Sequence, residues 1–218
     1  MQWDPNLYKK LDKKFFEKPA VEVAKSLIGK YLIHHICSDI ILVAKVVEDE
    51  AYGTDDPACH AWSNYCRLKN GESIKGRSAV LFDEPGIAYV YLNYGMYWLF
   101  NVVADKKGIP GAVLIRAVEP LFGIDYMQKL RPNAKTLIEL TNGPGKLALA
   151  LNIDQRYHKK SLVSPHSSLY FANHINHNTT PPIIVSSSRI GISKGKHLQW
   201  RFFEKHNNFV SHPPSPRS

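Results

Sequence analysis

The stretch IAYVYLNYGMYWLFNVV at residues 87–103 restricts the fold more than any other part of this chain. Two runs of β-branched and aromatic residues flank Asn93-Tyr94-Gly95, a turn signal, and the pattern predicts an antiparallel hairpin. Strand-like runs also occur at Ile40 to Ala51, Ala112 to Val118, Ile183 to Ile192 and Gln199 to Val210. Pro19 followed by Val21, Ala24, Leu27 and Ile28 predicts a helix that Gly29 ends. A second helix is predicted to begin at Glu119-Pro120, and a third at Asn142-Gly143-Pro144-Gly145-Lys146, running through Leu151. Residues 53–78 read as one long polar loop, containing Asp55, Asp56, Lys69, Lys75 and Arg77; loops of that length in a compact domain are often functional. Hairpins mixed with helices, without regular βαβ alternation, predict an α+β domain around a largely antiparallel sheet.

Charge narrows the choice of partners. Lys and Arg number 28 against 19 Asp and Glu, a net charge of +9. Such an excess suits a polyanion, because each neutralised phosphate releases condensed counterions; it is also found in basic proteins that touch no nucleic acid. No 18-residue apolar run reads as a membrane span, so no membrane partner is expected. The opening MQWDPNLYKK lacks the apolar core of a signal peptide, and Cys37, Cys59 and Cys66 are too few and scattered for a disulfide framework. Both point to an intracellular, reducing setting.

Three clusters could carry chemistry. Glu48, Asp49 and Glu50 end the first long strand. Side-chain alternation places Glu48, Glu50 and Tyr52 on one face, with Asp49 turned away. Taken alone, this is an exposed, solvated strand end. Two carboxylates roughly 7 Å apart also suit glycoside hydrolysis, although two groups on one strand face do not naturally straddle a sugar bond. The second cluster is the tyrosines of the hairpin: Tyr89 and Tyr91 share a strand face, while Tyr94 sits at the turn with little sheet to pack against. An exposed tip aromatic is a natural wedge between base steps of DNA. The third is Asn142 to Lys146. It lacks the Walker spacing but reads either as a phosphate-binding helix start or as an ordinary helix cap. His174 with His177, and Cys59, His60 and Cys66, are incomplete as metal ligand sets, so neither a metal nor any other cofactor is expected.

Several short motifs, taken in order, resemble the alkyladenine (3-methyladenine) DNA glycosylase family. They are Glu-Ala-Tyr at 50–52, Cys-His at 59–60, Tyr-Val-Tyr-Leu-Asn-Tyr-Gly-Met-Tyr at 89–97, Asn101, Val-Leu-Ile-Arg-Ala-Val-Glu-Pro at 113–120, Asn-Gly-Pro-Gly-Lys-Leu at 142–147 and Ser-Arg-Ile-Gly-Ile at 188–192. The resemblance implies one family domain over residues 15–210, with a curved sheet, surrounding helices and a protruding hairpin. Residues 1–14 would be an N-terminal extension and 211–218 a disordered tail. It implies a monomer that acts on double-stranded DNA containing damaged purines. The enzyme would hydrolyse the N-glycosidic bond without cleaving the strand, since no lysine sits beside Glu50 in sequence.

The same resemblance assigns roles. Glu50 would deprotonate water, with Arg116 beside it. Tyr52, His60 and Tyr91 would wall the base pocket, Asn101 would form its floor, and the Ile190 backbone would accept a hydrogen bond from the water. Tyr94 would fill the gap left by the extruded nucleotide, Met96 and Tyr97 would flank it, and Lys146 and Gly191 would contact phosphates. The stretch 62–78 departs from the family pattern, though Lys75 and Arg77 keep it basic. A non-catalytic, basic nucleic-acid-binding module is the alternative reading.

Overall fold

A computed structural model describes residues 3–175 and 181–211. His177 and the segment 212–218 lie outside the described residues. The chain forms one α+β unit on an open antiparallel sheet, with strands β1 (Tyr8–Lys10), β2 (Tyr31–Cys37), β3 (Ile40–Tyr52), β4 (Ala88–Asn93), β5 (Tyr97–Val103), β6 (Ala112–Phe122), β7 (Leu169–His174), β8 (Ile184–Ser187) and β9 (Arg201–Glu204). The main path runs β1-β7-β2-β3-β6-β5-β4, and every pair on it is antiparallel. β3 is the central strand. Its first half pairs with β2 and its second half with β9, while β6 flanks it throughout. Register shifts between β3 and β6 fall at Val43/Ala44, Val46/Glu48 and Glu48/Asp49; such bulges bend a strand and re-aim its side chains.

Alternation along the strands divides the sheet into two faces. The helices are α1 (Lys13–Phe16), α2 (Ala20–Leu27), α3 (Trp62–Lys69), α4 (Ile124–Leu130), α5 (Leu137–Thr141) and α6 (Pro144–Ala150), and Ala51, Val90, Phe100, Val102, Val113 and Ile115 point into the main core, which α2, α4 and α6 cover. Phe171 is the hinge of this packing, with Phe16 and Phe100 each 6.0 Å away between ring centroids. The opposite face carries Glu50, Tyr52, Tyr89, Tyr91, Asn101 and Arg116. A second apolar cluster there, containing Cys59, Ala61, Val80, Leu81 and Phe82, supports Tyr89.

Several expectations need correction. The predicted loop at 53–78 contains helix α3 (Trp62–Lys69), and a 3-10 turn follows at Arg77–Phe82. Asn64 ties the two together, its amide donating to the Lys75 carbonyl at 2.7 Å and accepting from the Lys75 N–H at 3.0 Å. No helix begins at Glu119-Pro120; β6 runs on to Phe122, with Pro120 tolerated beside the Val43/Ala44 bulge. The helix α4 starts only after Gly123, whose φ is +77°, and a Cβ there would meet the Ile41 carbonyl at 2.5 Å. The strand predicted at 183–192 stops at Ser187. The strand predicted at 199–210 is confined to Arg201–Glu204. Residues 8–10 join the sheet as its edge strand.

Candidate active site

The three consecutive carboxylates of β3 are fully buried, which overturns the expectation of an exposed strand end. Burial demands partners. On Glu50, Oε1 accepts from the Ile190 N–H at 2.7 Å, and Oε2 accepts from the Tyr52 hydroxyl at 2.8 Å. Arg116 Nη1 stands 3.2 Å from the same Oε2. Glu48 is more heavily committed. Its Oε1 accepts from Arg116 Nε (2.9 Å), Arg201 Nε (2.7 Å) and the Ser211 hydroxyl (2.9 Å), while Oε2 takes the Ser211 N–H at 2.5 Å. Burial is the largest single influence and would raise the Glu48 carboxyl, but those guanidiniums and the Ser211 amide together outweigh it and hold the pKa below its ordinary range. Both carboxylates share one arginine, so they form a single network and not an opposed pair. The glycoside-hydrolase geometry is absent.

The three donors to Glu50, Tyr52, Arg116 and Ile190, line a cavity of about 940 Å³, together with His60, Tyr91 and Asn101 among others. Its aromatic side is built of rings packed edge to face. His60 lies 4.6 Å from Tyr91 between ring centroids and 2.9 Å from the Tyr89 hydroxyl through Nδ1. Partial desolvation among these rings, and then the Arg77 charge, lowers the His60 pKa, which favours a neutral imidazole. Burial pushes the Tyr89 phenol up to about 12. Burial and then the Glu50 charge raise the Tyr52 phenol far above its usual range, so it stays a donor. Asn101 is buried on β5, its amide given to the Tyr89 carbonyl at 3.1 Å.

The hairpin of β4 and β5 stands at the mouth of this cavity. Met96 N–H donates to the Asn93 carbonyl at 3.0 Å, and both residues between them have left-handed backbone, with φ of +49° at Tyr94 and +70° at Gly95. A left-handed tyrosine is costly and marks a constrained turn. It leaves Tyr94 85% exposed, with Met96 and Tyr97 exposed beside it. Tyr97 is braced from below, since a Cβ on Gly145 would meet its Cβ at 2.8 Å. Lys146, in the first turn of α6, donates to Asn142 at 2.8 Å and lines the same cavity. Gly191, with φ of +74° and open space around it, lines the cavity too.

The structure thus gathers Arg116, Tyr52, His60, Tyr91, Asn101, Tyr94, Tyr97, Lys146, Ile190 and Gly191 around one cavity, with Glu50 buried behind the lining and held by Tyr52, Arg116 and Ile190. Met96 is set apart, on the exposed hairpin tip. Sequence reasoning missed Arg189, Asp56, Arg201 and Ser211. Only Arg189 had a signal, as the basic residue inside the Ser-Arg-Ile-Gly-Ile motif. Ser211 was expected to be in a disordered tail, yet it hydrogen-bonds Glu48. Among the described residues, no three His, Cys, Asp or Glu side chains gather as a metal site, and no helix is long and apolar enough to cross a membrane.

A sequence model of the family described as Methylpurine-DNA glycosylase (MPG) matches residues 14–208. A Salinibacter ruber protein is 45% identical over 203 residues, covering 93% of this chain and 96% of its own length. A Francisella tularensis protein is 42% identical over 192 residues, covering 88% and 93% respectively. One from Chlorobaculum tepidum is 38% identical over 204 residues, covering 93% and 91%. All three bear the name "Putative 3-methyladenine DNA glycosylase".

Proposed function

The chain belongs to the methylpurine-DNA glycosylase family, and from that premise we propose that it excises alkylated purines, such as 3-methyladenine and 7-methylguanine, from duplex DNA. In this reading the damaged nucleotide is extruded into that cavity, and Glu50 takes a proton from the attacking water. The observation that carries it is a buried carboxylate fixed by three donors, Tyr52, Arg116 and the Ile190 amide, all of which line a cavity that His60 and Tyr91 also wall. Alkylation at N3 or N7 leaves the purine cationic while it is attached to the sugar. Aromatic faces attract such a cation by about 0.5–2 kcal/mol, and a neutral His60 adds no repulsion. The cationic base is already a good leaving group. The protein then has to supply an activated water and negative charge near the oxocarbenium-like sugar, and one carboxylate does both. Extrusion costs a few kcal/mol of unstacking. Stacking in the pocket returns roughly 1–3 kcal/mol per base, and Tyr94 fills the gap in the duplex.

Glu50→Gln tests the reading. The amide keeps the shape of the side chain but cannot serve as the base. Binding to abasic-site duplex should stay close to wild type while single-turnover base release falls by orders of magnitude. Near-normal release would remove Glu50 from the chemistry. Wild-type protein that binds methylated duplex but frees no base would favour a non-catalytic binding module. The reaction as proposed stops at the abasic site, so no strand scission should follow base release.

A further inference from the structure

Behind the proposed pocket lies a buried ion pair with no part in the chemistry described so far. Arg189 and Asp56 have fully buried side chains, and Arg189 Nη1 pairs with Asp56 Oδ2 while Nη2 donates to Oδ1 at 2.8 Å. Nη1 also donates to the Ala51 carbonyl at 2.9 Å, one residue from Glu50. The guanidinium carbon lies 4.5 Å from the centroid of the Tyr52 ring. Asp56 in turn organises the turn leading to His60, its Oδ1 accepting from the Ala58 N–H at 3.0 Å. The residue after Arg189 is Ile190, whose N–H holds Glu50. One planar cation therefore ties together the end of β3, the back of Tyr52, the turn to His60 and the loop that grips the carboxylate.

We propose that Arg189, locked to Asp56, is a positioning residue: it sets the spacing of Tyr52, the Ile190 amide and the His60 turn without touching substrate. The proposal rests on the pocket being the glycosylase site. Only a bidentate fork can bond Asp56 and Ala51 at once while lying flat behind a ring, so a lysine cannot replace it. Misplacement by an ångström of groups that hold a reacting centre costs on the order of a hundredfold in rate.

Two variants separate positioning from folding. Arg189→Lys keeps the charge and loses the fork. The double variant Asp56→Leu/Arg189→Met replaces the pair by apolar groups of similar volume, a change that buried ion pairs commonly tolerate. The readouts are amide hydrogen exchange at Ile190 in the free protein, single-turnover release of 7-methylguanine, and binding to abasic-site duplex. Expected is an unchanged cooperative fold and near-normal binding, with Ile190 exchange faster by about tenfold or more. Base release should fall on the order of a hundredfold. Unchanged protection at Ile190 in a folded variant overturns the proposal, as does base release equal to that of an active wild type. Failure of both variants to fold overturns it too, because the pair would then hold the fold and not the site. If the wild type itself releases no base, the glycosylase reading fails, while Ile190 exchange still decides the role of Arg189.

Discussion

Asp49 sits between two carboxylates that each have a guanidinium partner, and neither of its own oxygens meets a hydrogen-bond donor among the described residues. It points into the core, away from the cavity. Arg116 and Arg201 are both taken by Glu48 and Glu50, so a third negative charge would stand uncompensated. Burial, then the charges of Glu48 and Glu50, raises its pKa well above the ordinary aspartate value. The folded pKa thus exceeds the unfolded one. The stability that protonated Asp49 contributes is complete below the unfolded value, about 3.9, and is lost as pH rises through the folded value. Asp49→Val removes two unsatisfied oxygens and suits a strand. It should raise stability at pH 8 by about 1–3 kcal/mol, and by less at pH 4. Denaturant melts of both proteins at the two pH values check this; an equal gain at both would mean that Asp49 is not titrating. Glu48 and Glu50 keep their partners in the variant, so any change in the pH dependence belongs to position 49.

The hairpin assigns different work to two tyrosines. Tyr94, at the left-handed turn, faces outward, whereas Tyr91 packs on His60 inside the cavity. Tyr94→Ala should therefore impair excision most where the lesion is well paired and less where it is mismatched, since mismatch lowers the unstacking cost. Tyr91→Ala should respond instead to the charge of the base, with cationic and neutral lesions affected unequally. Single-turnover rates on paired and mismatched substrates of both kinds decide it, and identical profiles would retire the wedge role of Tyr94. This hairpin was legible in the sequence because its information is local: alternating apolar runs and a turn of Asn, Tyr and Gly. Helix α2 was legible for the same reason. β2 and β7 were not, although they form much of the sheet. In β2, His34 lies buried in the strand, within 2.7 Å of the Leu151 carbonyl, its pKa lowered to about 4 by burial; a histidine that serves as core gives no apolar periodicity. Helix α3 was hidden because distant side-chain bonds from Asn64 hold it to the residues that follow. In the site, residues inside short motifs were readable, whereas Arg201 and Ser211 come to Glu48 from far along the chain, a relation visible only after folding.

A net charge of +9 and a cavity rim carrying Lys146 and Lys194 suit the phosphates of a duplex. Binding should weaken steeply with salt. Lys146→Ala should flatten the slope of log affinity against log salt by about one and leave lesion preference alone; a changed preference would move Lys146 into the base pocket. Ile190 reaches Glu50 across 140 residues of chain, and Arg201 and Ser211 reach Glu48 across 153 and 163. During translation, Glu48 and Glu50 therefore leave the ribosome before Arg116, Ile190, Arg201 and Ser211, the partners that hold them in the folded protein. Until they arrive, burying Glu48 and Glu50 would leave their charges unpaired in a dry interior. No fragment ending before Ile190 carries a complete Glu50 site.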